Sequence, residues 1–166
     1  MFPGQFKKYS YQPKKPVKSF QDLEVYQKSL EASVFVAKTL IPAITAKSGG
    51  KKKTESAAND LLVQALLPQA MGLPHLIAEA HSLRFGASLE CLARLEKAML
   101  NCNKLIVYVE QARDIAETGI EWEKFDELAK KYFYIRRKTL NLQRSWKKFI
   151  NLKDADSAFS AGKASA

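Results

Sequence analysis

Apolar residues recur along most of the chain in alternating steps of three and four, the spacing that gathers them on one face of an α-helix. The stripe Leu23, Gln27, Leu30, Val34, Ala37, Ile41 and Ile44 predicts a first helix. Ser19 is its expected N-cap, with Asp22 in capping-box position, so the helix should start at about Phe20 and be ended or kinked by Pro42. A second stripe, Leu62, Leu66, Gln69, Leu73, Leu76, Ala80 and Leu83, contains Pro68, Gly72 and Pro74, which predict a kink or split near 68–74; Thr54 or Ser56 is its expected cap. From about Ala87 a third helix presents Leu92, Leu95, Met99, Cys102, Ile106 and Val109, widened by Leu105, Tyr108, Ala112 and Ile115 and closed by Gly119 as a C′ residue. The fourth has the cleanest repeat, Phe125, Leu128, Tyr132, Ile135, Thr139, Leu142, Trp146 and Phe149. Four amphipathic helices with short connections predict an all-α protein, an antiparallel up-down four-helix bundle over 19–150.

The flanks read differently. Residues 1–18 hold three prolines, five lysines and no acid, the composition of a disordered basic arm, and 151–166 are rich in Ala, Ser and Asp, expected to fray. Lys47-Ser48-Gly49-Gly50-Lys51-Lys52-Lys53-Thr54 reads as a flexible basic loop. The apolar segment at 61–83 is broken by Gln64, Gln69, Pro74, His75 and Glu79 and falls short of about 18 continuous apolar residues, so no membrane span is expected. The early lysines have no apolar run behind them, and a cytoplasmic protein follows as the expectation.

Charge changes the picture most. In 166 residues, 27 Lys and Arg face 17 Asp and Glu, a net +10 that calls for a polyanionic partner. The excess concentrates on the fourth helix. Lys130, Arg137 and Arg144 recur every seven residues opposite the apolar stripe, flanked by Lys131, Arg136, Lys138, Lys147 and Lys148, and no acid interrupts 130–148. A solvated helix face ordinarily mixes signs to gain i,i+4 pairs. These eight residues are therefore the candidate nucleic-acid-binding set. Of the interleaved aromatics, Tyr132 and Trp146 fall on the apolar stripe, while Phe133 and Tyr134 lie off it and could serve an intersubunit contact or base stacking.

Chemistry of other kinds has little support. His75 and His81 are six residues apart, about 240° around a helix, and lack a third ligand. Cys91 and Cys102, about 16 Å apart along one helix, cannot bridge and read as small core residues. No phosphate-cradling glycine loop, carboxylate pair or activated nucleophile is evident, so neither catalysis nor a cofactor nor a metal is expected.

Three segments resemble the four-helix-bundle family of rRNA intervening-sequence proteins and Avd accessory proteins of diversity-generating retroelements. They are Ser19-Phe20-Gln21-Asp22-Leu23-Glu24-Val25-Tyr26-Gln27-Lys28, Leu73-Pro74-His75-Leu76-Ile77-Ala78-Glu79-Ala80, and Tyr134-Ile135-Arg136-Arg137-Lys138-Thr139-Leu140-Asn141-Leu142-Gln143-Arg144-Ser145-Trp146, the last similar to the basic final helix of the Avd branch. Together they span about 19–150; Ala80 stands where that family usually has glycine, and the arginines often found before its Pro segment are missing. The resemblance implies a homopentamer of four-helix protomers whose basic surface binds RNA or DNA and which, in the Avd branch, assists a reverse transcriptase. The alternatives are a module that docks an acidic protein partner, or an rRNA intervening-sequence-type bundle that works without a reverse transcriptase.

Overall fold

The computed structural model describes residues 16–46 and 53–163, with side chains described over 16–46 and 55–150. The expected basic arm lies outside the described residues except for its last three positions, as do most of the glycine-lysine loop and 164–166. Every regular element among the described residues is helical: a 3-10 turn Phe20–Asp22, α1 Glu24–Phe35, a π turn Val36–Leu40, α2 Ile41–Thr45, α3 Lys53–Leu83, α4 Ser88–Ile115 and α5 Trp122–Lys163. α1, the π turn and α2 follow one another without a break, so four long helical segments pack together: α3 on α4, α4 on α5, and α1 on both α3 and α5.

Ser19 caps the chain's entry as its residue type suggests. Its Oγ accepts from Gln21 N at 3.1 Å, and the Asp22 carboxylate accepts from the N–H groups of Ser19 and Lys18, both at 3.0 Å. The capped turn is 3-10, and the α-helix proper begins only at Glu24. These backbone donors hold the Asp22 carboxyl below its ordinary value.

The apolar face of α1 is not the expected one. Leu23 and Ile44 are buried, but Gln27 is exposed and Leu30 and Val34 are 44% and 43% exposed. Val25, Ser29, Ala32, Ser33, Val36 and Leu40 face inward instead. Small residues let α1 approach α3 and α5 closely, and the two serines enter the interior at little cost because each hydroxyl donates to a carbonyl three residues back, Tyr26 O at 2.7 Å and Leu30 O at 2.8 Å. Pro42 does not end the helix. The preceding turn widens to π, with Ile41 N–H bonded to Val36 O, and α2 starts with the proline in its first turn, where a missing N–H costs nothing.

α3 is likewise unbroken, which corrects the split allowed for near 68–74: Pro68 and Pro74 both lie inside it. The buried stripe Leu62, Leu66, Leu73, Leu76 and Ala80 runs straight through both prolines, so packing against α1 and α4 overrides local propensity. α4 also stitches the proline region directly. Asn101 Nδ2 donates to the Gln69 carbonyl at 2.9 Å, supplying a donor one turn before Pro74. By length and composition the stretch Glu55–Leu83 would suffice to cross a membrane; in the bundle Leu62, Leu66, Leu73 and Leu76 of this stretch are buried, while Leu61 is 68% exposed.

α4 buries Leu95, Cys102, Leu105, Ile106, Val109 and Ala112, with Leu92, Met99 and Tyr108 half-buried and Ile115 47% exposed. It ends at Ile115 on an extended Ala116, three residues before Gly119, so Gly119 is not the C′ residue. The glycine shapes the following connection, where its φ of +67° is a left-handed conformation that side-chain-bearing residues rarely adopt. In α5 the expected face is buried from Phe125 through Leu128, Tyr132 and Ile135 to Thr139; Leu142 and Trp146 are half-buried and Phe149 is 65% exposed. Helical backbone continues to Lys163, well into the stretch expected to fray.

Candidate nucleic-acid interface

Because α5 turns Tyr132, Ile135 and Thr139 inward, the side chains roughly opposite them must face solvent, and Lys130, Arg137 and Arg144 are all exposed. Their seven-residue spacing sets them about 10.5 Å apart along the helix. Geometrically the stripe is therefore where its periodicity puts it. Its electrostatics are less uniform than the sequence suggests.

Three of the eight candidate cations already have carboxylate partners. Lys130 Nζ lies 2.6 Å from Asp126, one turn earlier on the same helix. Lys131 Nζ reaches Glu31 on α1 at 2.7 Å, and Lys138 Nζ reaches Glu24 on α1 at 3.1 Å. Tyr134, half-buried, donates its hydroxyl to the same Glu24. These contacts join α1 to α5, and they pull both glutamates below the ordinary carboxylate value: Glu24 through Tyr134 and then Lys138, Glu31 through Lys131 and then Lys28. Asp126 holds Lys130 above the ordinary lysine value, and Tyr134 followed by Glu24 does the same for Lys138.

A groove of about 490 Å³ between α1 and α5 shows the result. Lys28, Lys124, Lys130 and Lys131 rim an apolar floor of Phe35 and Leu128. Lys28 is bound to Glu31 at 3.1 Å and Lys124 to Glu127 at 3.0 Å, so the groove is nearly neutral despite its lysines. Lys124, Lys130 and Lys131 of α5 thus spend their positive charge within the chain.

Other cations on α5 do not. Arg137, Arg144, Lys147 and Lys148 are exposed and form no ion pair among the described residues. Arg136 is half-buried on the α4 side, close enough to Cys102 to act on its thiol, and its Nε is buried with no acceptor among the described residues. Of the eight candidate residues, these five have no carboxylate partner among the described residues. Asp126 as a partner for Lys130 was readable from its i,i+4 spacing. Glu24 and Glu31 approach α5 only through the tertiary fold, and no local pattern points to them.

The remaining titratable groups have structural surroundings. Burial pushes the Cys102 thiol up to about 12 and raises Cys91 as well, so both stay protonated at neutral pH. His81 is buried between Phe20 and Trp146, with ring centroids at 6.4 Å and 6.2 Å, whereas His75 is exposed. No group of three or more His, Cys, Asp or Glu among the described residues could hold a metal ion. Compared with family models, with curated proteins and with solved structures, the chain matches none.

Proposed function

We propose that this protein is a non-catalytic nucleic-acid-binding accessory protein, with the exposed cations Arg137, Arg144, Lys147 and Lys148 of α5 as its binding surface. The observation that carries this reading is the concentration of these exposed cations, without an ion pair among the described residues, on one helix whose Lys124, Lys130, Lys131 and Lys138 are each paired with a carboxylate. A bundle gains nothing in stability from like charges left one or two turns apart, and a phosphate backbone relieves them by releasing counterions. The resemblance of its first helix, Pro segment and last helix to the Avd branch supports reading it as a cytoplasmic helper of a reverse transcriptase in a diversity-generating retroelement.

The same reading takes the bundle as antiparallel and up-down. Three sets of cross-helix pairs favour it: Glu79 with Arg94 and Gln69 with Asn101, Leu92 with Gln143 and Cys102 with Arg136, and Glu24 with Lys138 and Glu31 with Lys131, each pairing rising numbers on one helix with falling numbers on the other. A homopentamer is the proposed assembly. Apolar side chains left uncovered, among them Leu30 and Val34 on α1 and Leu100 and Val107 on α4, favour self-association. Light scattering that gives a stable monomer of 18.7 kDa would remove that part of the proposal.

The test of the binding surface replaces Arg137, Arg144, Lys147 and Lys148 by Gln together. Affinity for RNA and DNA should fall across unrelated sequences, and the log-log salt slope should drop by about 3 units per subunit engaged. Competition by heparin or RNA, with none by acidic peptides, supports the reading. Unchanged binding by the quadruple variant would leave these residues as solvated surface and make the lysines from Lys7 to Lys18 the better candidates, whereas displacement by acidic peptides alone would assign the stripe to an acidic protein partner.

A further inference from the structure

We propose that the α5 surface carries a stacking subsite for one unpaired base, centred on Phe133, so that the protein prefers single-stranded to duplex nucleic acid. The inference rests on the nucleic-acid reading above and narrows its ligand. Phe133 is 57% exposed, a large apolar ring in the stretch of α5 between Lys130 and Arg137. It lines a shallow groove of about 460 Å³ with Lys130, Tyr134, Arg136, Arg137 and Leu140. That volume falls within the range of small-ligand sites.

The chemistry around the ring is that of a nucleotide, an apolar π-face beside unpaired cations. Arg136 and Arg137 follow Phe133 by about one helical turn, roughly 5.4 Å along the axis. Neither has a carboxylate partner among the described residues, and the buried Arg136 Nε has no acceptor there. A phosphate at this position would answer both guanidinium groups while its base lies on Phe133. Tyr134 cannot take the same part. Its hydroxyl is held by Glu24, and Lys138 and Arg137 approach its ring at 5.1 Å and 5.8 Å. Leu140, half-buried two turns after Phe133, extends the apolar floor.

Duplex geometry explains the expected preference. Paired bases are stacked on one another and present only their edges in the grooves, so a ring standing on a helix surface has no base face to meet. An unpaired base offers its face whatever its identity, which also makes the subsite tolerant of sequence.

The experiment measures affinity for oligo(U), oligo(dT) and a mixed-sequence duplex of equal length at one salt concentration, with the wild-type chain and with Phe133→Leu, which keeps an apolar side chain and removes the π-face. Single strands should bind the wild type more tightly than the duplex. Phe133→Leu should lose about 5- to 150-fold on single strands and leave duplex binding unchanged. Equal effects on oligo(U) and oligo(dT) mark base stacking common to RNA and DNA; an effect on oligo(U) alone assigns the subsite to RNA. In a second variant, Phe133→Trp, single strands should quench fluorescence beyond the change seen with the wild type, which already carries Trp122 and Trp146. Phe133→Leu binding single strands as tightly as the wild type overturns the stacking subsite but leaves the basic surface standing, provided the duplex still binds. A smaller particle mass in Phe133→Leu, with equal loss on every ligand, makes Phe133 an intersubunit contact and also overturns the subsite. If the wild type binds none of the three ligands, the nucleic-acid reading fails and this inference fails with it.

Discussion

Lys138 reaches from α5 to Glu24 on α1 at 3.1 Å, whereas its neighbour Arg137 lies 5.8 Å over the Tyr134 ring and meets no carboxylate among the described residues. Adjacent cations on one helix thus differ: one is paired with a carboxylate on a neighbouring helix, and the other belongs to the proposed binding surface. Replacing Lys131 and Lys138 together by Gln is expected to lower the melting temperature slightly, because exposed pairs contribute about 0 to 1 kcal/mol each. It should reduce nucleic-acid affinity less than Arg137→Gln with Arg144→Gln does. Melting curves and salt-dependent binding on the two double variants check the division; equal losses of binding would refute it.

The α1–α5 pairs also set an acid limit. Glu24 and Glu31 have folded-state values held below their ordinary 4.5, so their contribution is fully present above that pH and is lost as pH falls through the depressed values. Urea midpoints at pH 5 and pH 3.5 should therefore differ more for the wild-type chain than for Glu24→Gln with Glu31→Gln.

His81 acts in a higher window. Burial is the main cause lowering its value from 6.5, with Arg84 adding to it and Asp22 opposing. Because the folded state disfavours the imidazolium, the unfolded chain binds the proton first. Stability should be full above about pH 6.5 and decline as pH falls below it towards the folded-state value. Unfolding midpoints at pH 7.5 and 5.5 should show the decline, and His81→Phe should flatten it. An equal decline in that variant would exclude His81 as the source.

Gly72 sits mid-helix in α3, with negative φ and nothing within 4 Å of where a Cβ would stand. Gly72→Ala should raise stability by about 0.4 to 1 kcal/mol by restricting the unfolded chain. A lower melting temperature would mean that something outside a single chain packs against that position.

Asn101→Ala removes a cross-helix donor to the Gln69 carbonyl, which in an α-helix also accepts from the Leu73 N–H. The expected loss is about 0.5 to 1.5 kcal/mol, the net contribution of one intramolecular hydrogen bond. Hydrogen exchange in α3 should accelerate most around 69–74; a uniform change along the helix would argue against a local stitch.

How far the sequence could be read differs from helix to helix. α5 and α3 were legible because Leu and Ile stand on their inner faces and a repeat of three and four finds them. α1 was misread because its inside is built from Ala32, Ser29 and Ser33, while Leu30 and Val34 face out; hydrophobicity ranks these residues in the wrong order once close helix approach decides the packing. The prolines of α3 suggested a break that contacts with α1 and α4 override. At the candidate site, periodicity located the stripe Lys130, Arg137 and Arg144, but the partners that neutralise Lys131 and Lys138 stand 100 or more residues away in the chain. Proximity of that kind is a property of the fold alone.

The π turn at Val36–Leu40 holds one residue more than an α-helical turn would need. Regular α-geometry through these residues at unchanged length would turn everything beyond by about 100°, and Ile44, 1% exposed, would swing out of the interior. Deleting one residue there, such as Thr39, removes the surplus instead: Val36 and Ile44 would then stand about two α-helical turns apart and keep the same inner face. The first helix can therefore shed a residue at this point and keep its phase, whereas an added one would need a second widened turn.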